Sequence, residues 1–196
     1  MYTRLDPRKP AGFTLIEVLV TIVILSVGLL GMAALQITGV RSATGATSRT
    51  QATLLADDIV ERMRANVTAV DANLFAAVDS TAINCAALPN PYCGEYYDGT
   101  NNVAAASCTP AQMAAFDINV WFCGATSSGI RRGGVTNSLA SATATITCSD
   151  KDTTDTDACT DRSPHVITLG WTENNPQKDA AGTTTTTQSI SMSIQL

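Results

Sequence analysis

One glutamate inside a long apolar run constrains this chain more than any other feature. Residues 13–35 form about 23 successive positions in which Glu17 is the only charge. As a helix this run would be about 34 Å long, enough to cross a bilayer. An ionised group at membrane depth costs about 2.5–3.5 kcal/mol or more, and those that persist are functional by default. The preceding residues 1–12 carry Arg4, Arg8 and Lys9 against Asp6. A conventional secretory signal has a shorter apolar core followed by a small-residue cleavage site, and no such site follows here. The basic leader is expected to stay cytoplasmic by the positive-inside tendency, which puts the rest in the periplasm.

The stretch Gly12-Phe13-Thr14-Leu15-Ile16-Glu17-Val18 resembles the class III signal of type IV pilins and type II secretion pseudopilins. The resemblance implies a subunit of a membrane-anchored filament, not an enzyme. It implies that a dedicated prepilin peptidase cuts between Gly12 and Phe13, that Phe13 is then N-methylated, and that Glu17 becomes the fifth mature residue. The chemistry has a physical basis. Cleavage creates a cationic amine at Phe13, and Glu17 lies one helical turn further on, on the same face. Its carboxylate also meets the positive end of the helix dipole. In a filament Glu17 would neutralise the amine of a neighbouring subunit, and the cost of an unpaired buried charge would set the register of subunit addition. The plainer reading leaves Glu17 in the headgroup layer.

No proline occurs between Pro10 and Pro89, and the helical pattern runs from Phe13 to about Ala65, near 80 Å if straight. Gly28, Gly31 and Gly39 interrupt its first half, either as ordinary membrane-helix glycines or as points of flexibility. The second half is amphipathic, with Ala52, Leu55, Ile59 and Met63 on one stripe and Asp57, Asp58, Glu61, Arg62 and Arg64 elsewhere. The expected divisions are a leader at 1–12, a transmembrane half at 13–36, an amphipathic half at 37–66 and a periplasmic head at 67–196. Two segments, Leu25-Ser26-Val27-Gly28-Leu29-Leu30-Gly31-Met32 and residues 51–66 (QATLLADDIVERMRAN), resemble the PilV family of minor pilins.

The formal charge is −5. Loss of the twelve-residue leader, which carries +2, would take it to −7. An acidic chain without a basic stripe is a poor nucleic-acid binder, and Arg131-Arg132 alone is thin evidence for one. All six cysteines, Cys85, Cys93, Cys108, Cys123, Cys148 and Cys159, follow the anchor, so they read as disulfides of an exported head, with two or three formed. Fifteen connectivities are open. A local pair such as Cys148–Cys159 would close a short loop cheaply.

Residues 68–107 read as an irregular connection with a helical turn near Ala72–Val78. Thr109-Pro110 reads as a cap for a helix over Ala111–Phe122, with Met113, Phe116, Val120 and Trp121 toward the core. Gly133-Gly134 reads as a turn. Ser141–Cys148, His165–Thr172 and Thr185–Gln195 are β-rich, and Ile190, Met192, Ile194 and Leu196 alternate with polar residues. The expected fold is α+β and type IV pilin-like, a long N-terminal helix packed on a small antiparallel sheet of three or four strands with a disulfide-bonded head. Trp171 reads as core. His165 has no nucleophile partner and reads as structural or exposed. Asp150, Asp152, Asp155 and Asp157, with Asp161, offer oxygens for Ca²⁺ without EF-hand spacing, and a solvated acidic loop is the better reading. Thr183–Thr187 reads as a loop entering the last strand. No cofactor, catalytic residue or other metal site is expected.

The PilV resemblance implies a minor pilin that helps to initiate assembly or caps the filament tip, in motility or adhesion. Its partners would be the inner membrane, prepilin peptidase, other minor pilins and the major pilin. The alternatives are a minor pseudopilin of a type II secretion system and an adhesive or DNA-uptake module.

Overall fold

The computed structural model describes residues 12–152, 154, 156, 159–160, 163–174 and 184–196. The leader before Gly12, Asp155, Asp157 and Asp161 of the acidic loop, and Thr183 lie outside them. The chain divides into two compact units, Met1–Thr44 and Gly45–Leu196. The division falls within the first helix, next to Gly45, where an added Cβ would meet the Glu173 carboxylate.

In the first unit, α1 (Leu15–Ala65) begins one residue after Thr14 and passes Gly28, Gly31 and Gly39 without a break. Its hydroxyl side chains turn inward on their own helix: Thr21 Oγ1 donates to the Val18 carbonyl and Ser26 Oγ to that of Ile22. Such bonds satisfy polar groups where no water is at hand. Every described residue of this unit is exposed, with Leu30 at 72% and Leu35 at 74%.

In the second unit, α1 buries Ala52, Ala56, Ile59, Val60 and Met63. The seam is rotated slightly from the expected stripe: Leu55 is half-buried, and its carbonyl accepts the Trp121 indole N–H at 2.7 Å. Against the seam packs an antiparallel sheet in the order β1 (Ala77–Asp79), β6 (Thr143–Cys148), β7 (His165–Asn174), β8 (Thr185–Ile194). The period-two pattern puts Val78, Ala144, Ile146, Ile167, Leu169 and Trp171 into the core. Ile190, Met192 and Ile194 of β8 share that face but are only half-buried. The outer face is mostly hydroxyls, with Thr145, Thr168 and Ser191 in one cross-strand row.

Two connections differ from expectation. The helical turn lies at α2 (Val67–Asp71), not at Ala72–Val78, and Ala77–Asp79 is the fourth strand. Three residues are too short to show a period of two in sequence, and Asn73 at φ +60° ends the helical stretch just before them. The rest of the connection holds a two-stranded ribbon, β2 (Tyr96–Tyr97) with β3 (Asn102–Val103). Thr185–Thr187, read in part as loop, already pair with Asn174–Thr172 of β7.

α3 (Pro110–Cys123) starts with a complete capping box: Gln112 N–H donates to Thr109 Oγ1, and Thr109 N–H to Gln112 Oε1. Val120 and Trp121 are buried as expected, whereas Met113 and Phe116 are only half-buried. Phe116 instead meets the Tyr92 ring edge-on, with centroids 4.9 Å apart. Ala114, Asp117, Phe122 and Cys123 fill the buried face. A hairpin of β4 (Ala125–Ser127) and β5 (Ile130–Arg132) then leads to α4 (Gly134–Ser138). Gly124 and Gly134 have φ of +88° and +72°, and a Cβ on Gly134 would fall on the Gly124 backbone nitrogen. Glycine is needed there for conformation and for space.

Candidate functional site: the anchor terminus and the stapled head

The N-terminal candidates lie at the start of α1. Phe13 is 82% exposed and precedes the helix. Glu17 stands in its first turn, exposed, and its carboxylate has no hydrogen-bond or ionic partner among the described residues. Thr14 organises this turn. Its Oγ1 accepts the Glu17 N–H at 3.3 Å, and its carbonyl accepts the N–H groups of Glu17 and Val18. Sequence reasoning passed over Thr14, although Thr-x-x-Glu before an apolar run is the pattern of a helix start. The arrangement fixes the backbone of Glu17 while leaving its carboxylate outward, so it can take a cation from another molecule. α1 is long and apolar enough to cross a membrane.

In the head, the six cysteines form three bridges: Cys85–Cys123, Cys93–Cys108 and Cys148–Cys159, with sequence separations of 38, 15 and 11. The first ties the segment after β1 to the end of α3. The second closes the loop that holds β2 and β3. The third joins the end of β6 to the segment before β7. The local pair Cys148–Cys159, suggested by its short loop, forms, whereas spacing left the other two pairings open.

His165 is buried at the start of β7, 3% exposed. Its Nε2 lies 3.9 Å from Cys159 Sγ, and its buried Nδ1 has no hydrogen-bond partner among the described residues. Burial pushes its pKa below the usual imidazole value. Cys148, Cys159 and His165 are the one grouping of metal-type donors among the described residues. Both sulfurs are bonded to each other, so the thiolates that a zinc site requires are not there.

The acidic loop is organised by its own carboxylates. Asp150 Oδ1 accepts the Asp152 and Thr160 N–H groups and the Ser163 hydroxyl. Asp152 Oδ1 accepts the N–H and hydroxyl of Thr154. Hydrogen bonds from Thr160 and from Thr154 hold the two carboxyls below the usual carboxylate range. These are loop-forming Asx contacts. Trp171 is core, with its N–H on Glu173 Oε1 at 2.9 Å. Arg131 is an internal bracket: its guanidinium donates to Asn119 Oδ1 and to the carbonyls of Gly124 and Ala87. That use removes it from a nucleic-acid surface.

Asp117 is a buried charge that the sequence reading did not single out. Arg62 donates to it through a terminal guanidinium nitrogen at 2.9 Å and to Asp58 through Nε at 3.2 Å. Burial nevertheless raises the Asp117 pKa above its ordinary value. An arginine on the polar side of one amphipathic helix and an aspartate among the apolar residues of another were the available signal.

Residues 34–119 match the family model of the type IV pilin Tt1218, and residues 7–33 match that of the prokaryotic N-terminal methylation motif. No curated protein or solved structure gives a match. The matched pilin family is structural and not enzymatic. With its long N-terminal helix, antiparallel sheet and disulfide-bonded head, the chain has a type IV pilin-like fold, and its sequence is similar to a type IV pilin family over residues 34–119 and to the N-terminal methylation motif over residues 7–33.

Proposed function

We propose that this chain is a minor pilin of the PilV kind. Prepilin peptidase cuts between Gly12 and Phe13, and Phe13 is then N-methylated. The mature chain sits in the inner membrane through a single pass, with its head in the periplasm, until it enters the filament. With other minor pilins and the major pilin it initiates assembly or caps the tip, in motility or adhesion. The observation that carries this reading is Glu17. Its carboxylate is exposed and has no partner among the described residues in the first turn of an apolar helix, where an unpaired charge is expensive. The cationic amine at Phe13 of a neighbouring subunit relieves that cost and fixes where the neighbour stops.

The test is mass spectrometry of the chain from sheared surface filaments and from membranes of the same cells. A chain starting at N-methyl Phe13 in the filaments is the expected result. A processed chain confined to membranes would transfer the reading to a pseudopilin, and an uncleaved chain everywhere would overturn it. Glu17→Ala is expected to be processed normally but to be lost from filaments, and its normal incorporation would sink the charge-pairing mechanism.

A further inference from the structure

Cys148 and His165 stand directly opposite each other across the β6–β7 ladder. Cys159 reaches the same place from the segment before β7 and is buried, as is His165. The two sulfurs and a ring nitrogen of His165 all lie within 4.8 Å of one another. In the bridged chain the imidazole has no evident task. Its Nδ1 is buried with no partner among the described residues, whereas buried polar groups are ordinarily hydrogen-bonded. An apolar side chain would fill that position at less cost. The bridge, however, is not the first state of these sulfurs. Every cysteine is made as a thiol, so a reduced form precedes the bonded one.

Two thiolates and a neutral imidazole are a zinc donor set, and the geometry suits the ion. Zinc binds sulfur at about 2.3 Å and imidazole nitrogen at about 2.0–2.1 Å in a tetrahedron, whose S···N and S···S edges are then about 3.6 and 3.8 Å. His165 Nε2 already lies 3.9 Å from Cys159 Sγ, close to the first edge. Opening the bridge frees the sulfurs to part to the second. A cavity of about 50 Å³ borders Cys159 and His165 and is lined also by Asp71, Thr160 and Ser163. It has room for a water molecule, the fourth ligand.

We propose that Cys148, Cys159 and His165 hold a zinc ion in the reduced chain, and that formation of the bridge expels it. Binding of Zn²⁺ displaces one proton from each thiol, and the imidazole binds neutral through Nε2. A disulfide donor then supplies the oxidation. Cys148 is half-buried and Cys159 buried, so the Cys148 thiolate is the one that reaches the donor. It forms a mixed disulfide and releases one donor thiolate. Cys159 attacks the Cys148 sulfur of that mixed disulfide, closes the bridge and releases the second donor thiolate. The donor has gained the two electrons that the cysteines lost, and Zn²⁺ leaves with its sulfur ligands gone. Ion and bridge tie the same two segments, the end of β6 and the approach to β7. The inference stands apart from the proposed function.

The test uses the full-length chain in detergent, reduced with a phosphine and then given Zn²⁺ or Mg²⁺. Timed alkylation with iodoacetamide, read cysteine by cysteine by mass spectrometry, reports which thiols the ion covers. Zn²⁺ is expected to slow alkylation of Cys148 and Cys159 about tenfold relative to Mg²⁺, and to leave Cys85, Cys93, Cys108 and Cys123 within about twofold. His165→Gln is expected to lose most of that protection, each protein being compared with itself in Mg²⁺. Oxidised glutathione added to the zinc-loaded chain is expected to release the ion to a chromophoric chelator as the Cys148–Cys159 bridge forms. Protection spread evenly over all six cysteines would mean adventitious thiol binding and overturn the proposal. No protection, as from a reduced chain that does not keep its fold, would overturn it too, as would protection unchanged in His165→Gln or zinc retained after the bridge has closed.

Discussion

Replacing Arg62 by methionine isolates the least comfortable contact in the head. Its guanidinium is the cation beside Asp117, whose side chain is 11% exposed, and it is itself 29% exposed. Breaking a buried ion pair by removing one partner costs about 3–5 kcal/mol. Partial exposure of the pair admits water and brings the expectation to about 2–3 kcal/mol. Asp117→Asn is not the mirror image. It leaves Arg62 held by Asp58 at 3.2 Å, and the loss is of one charge-assisted bond, about 1 kcal/mol. The double replacement Arg62→Met with Asp117→Leu removes both charges from the interior and is expected within about 1 kcal/mol of the parent.

The pH dependence separates this account from simple loss of packing. Burial already raises the Asp117 pKa with Arg62 present, and without that cation it rises further. A carboxyl with a raised folded pKa favours folding while protonated. That contribution is complete below its unfolded pKa and is lost as pH rises through the folded one. The deficit of Arg62→Met is therefore largest near neutrality and shrinks on acidification into the carboxylate range. Chemical denaturation of the detergent-solubilised chain, followed by the fluorescence of buried Trp121 and Trp171, would measure it. A deficit independent of pH, or a larger loss from Asp117→Asn than from Arg62→Met, would refute the reasoning.

The remaining predictions concern single features of the head. Replacing both members of Cys85–Cys123 by alanine should destabilise more than the same change at Cys148–Cys159. The separations of 38 and 11 residues differ by about 1 kcal/mol in loop-closure entropy, and denaturant midpoints of the two variants would show it. Acidification from pH 7 through the imidazole range should cost stability through His165, because burial lowers its folded pKa and the unfolded chain takes up the proton first. His165→Gln should flatten that slope, and an unchanged slope would assign it elsewhere. Gly134→Ala should cost about 2 kcal/mol or more by forcing a side chain onto the Gly124 backbone at positive φ, measurable as a lowered unfolding midpoint.

Legibility followed the length over which a pattern repeats. Fifty-one residues of α1 and the ten-residue β7 and β8 carry enough periods to be read from side-chain order alone. The Thr109-Pro110 start of α3 was readable because a cap is a local chemical event, and its Gln112 partner three residues on completes a pattern equally local. What stayed hidden was set by distant partners. β1 is a strand because Ala77, Val78 and Asp79 meet Thr147, Ile146 and Thr145, and nothing within three residues announces that. Cys148–Cys159 was suggested by its short loop, but Cys85–Cys123 and Cys93–Cys108 depend on which loops the sheet and α3 bring together. Asp117 looked like one acidic residue of a helix until the packing of α3 on α1 placed it beside Arg62. The anchor terminus reverses this relation. Its chemistry, a carboxylate one turn from the expected new amine, is local and stands in the sequence, but the cation that the proposed function assigns to Glu17 would belong to another molecule. A single chain therefore shows only an exposed carboxylate at the helix start, and the proposed pairing has to be tested between chains.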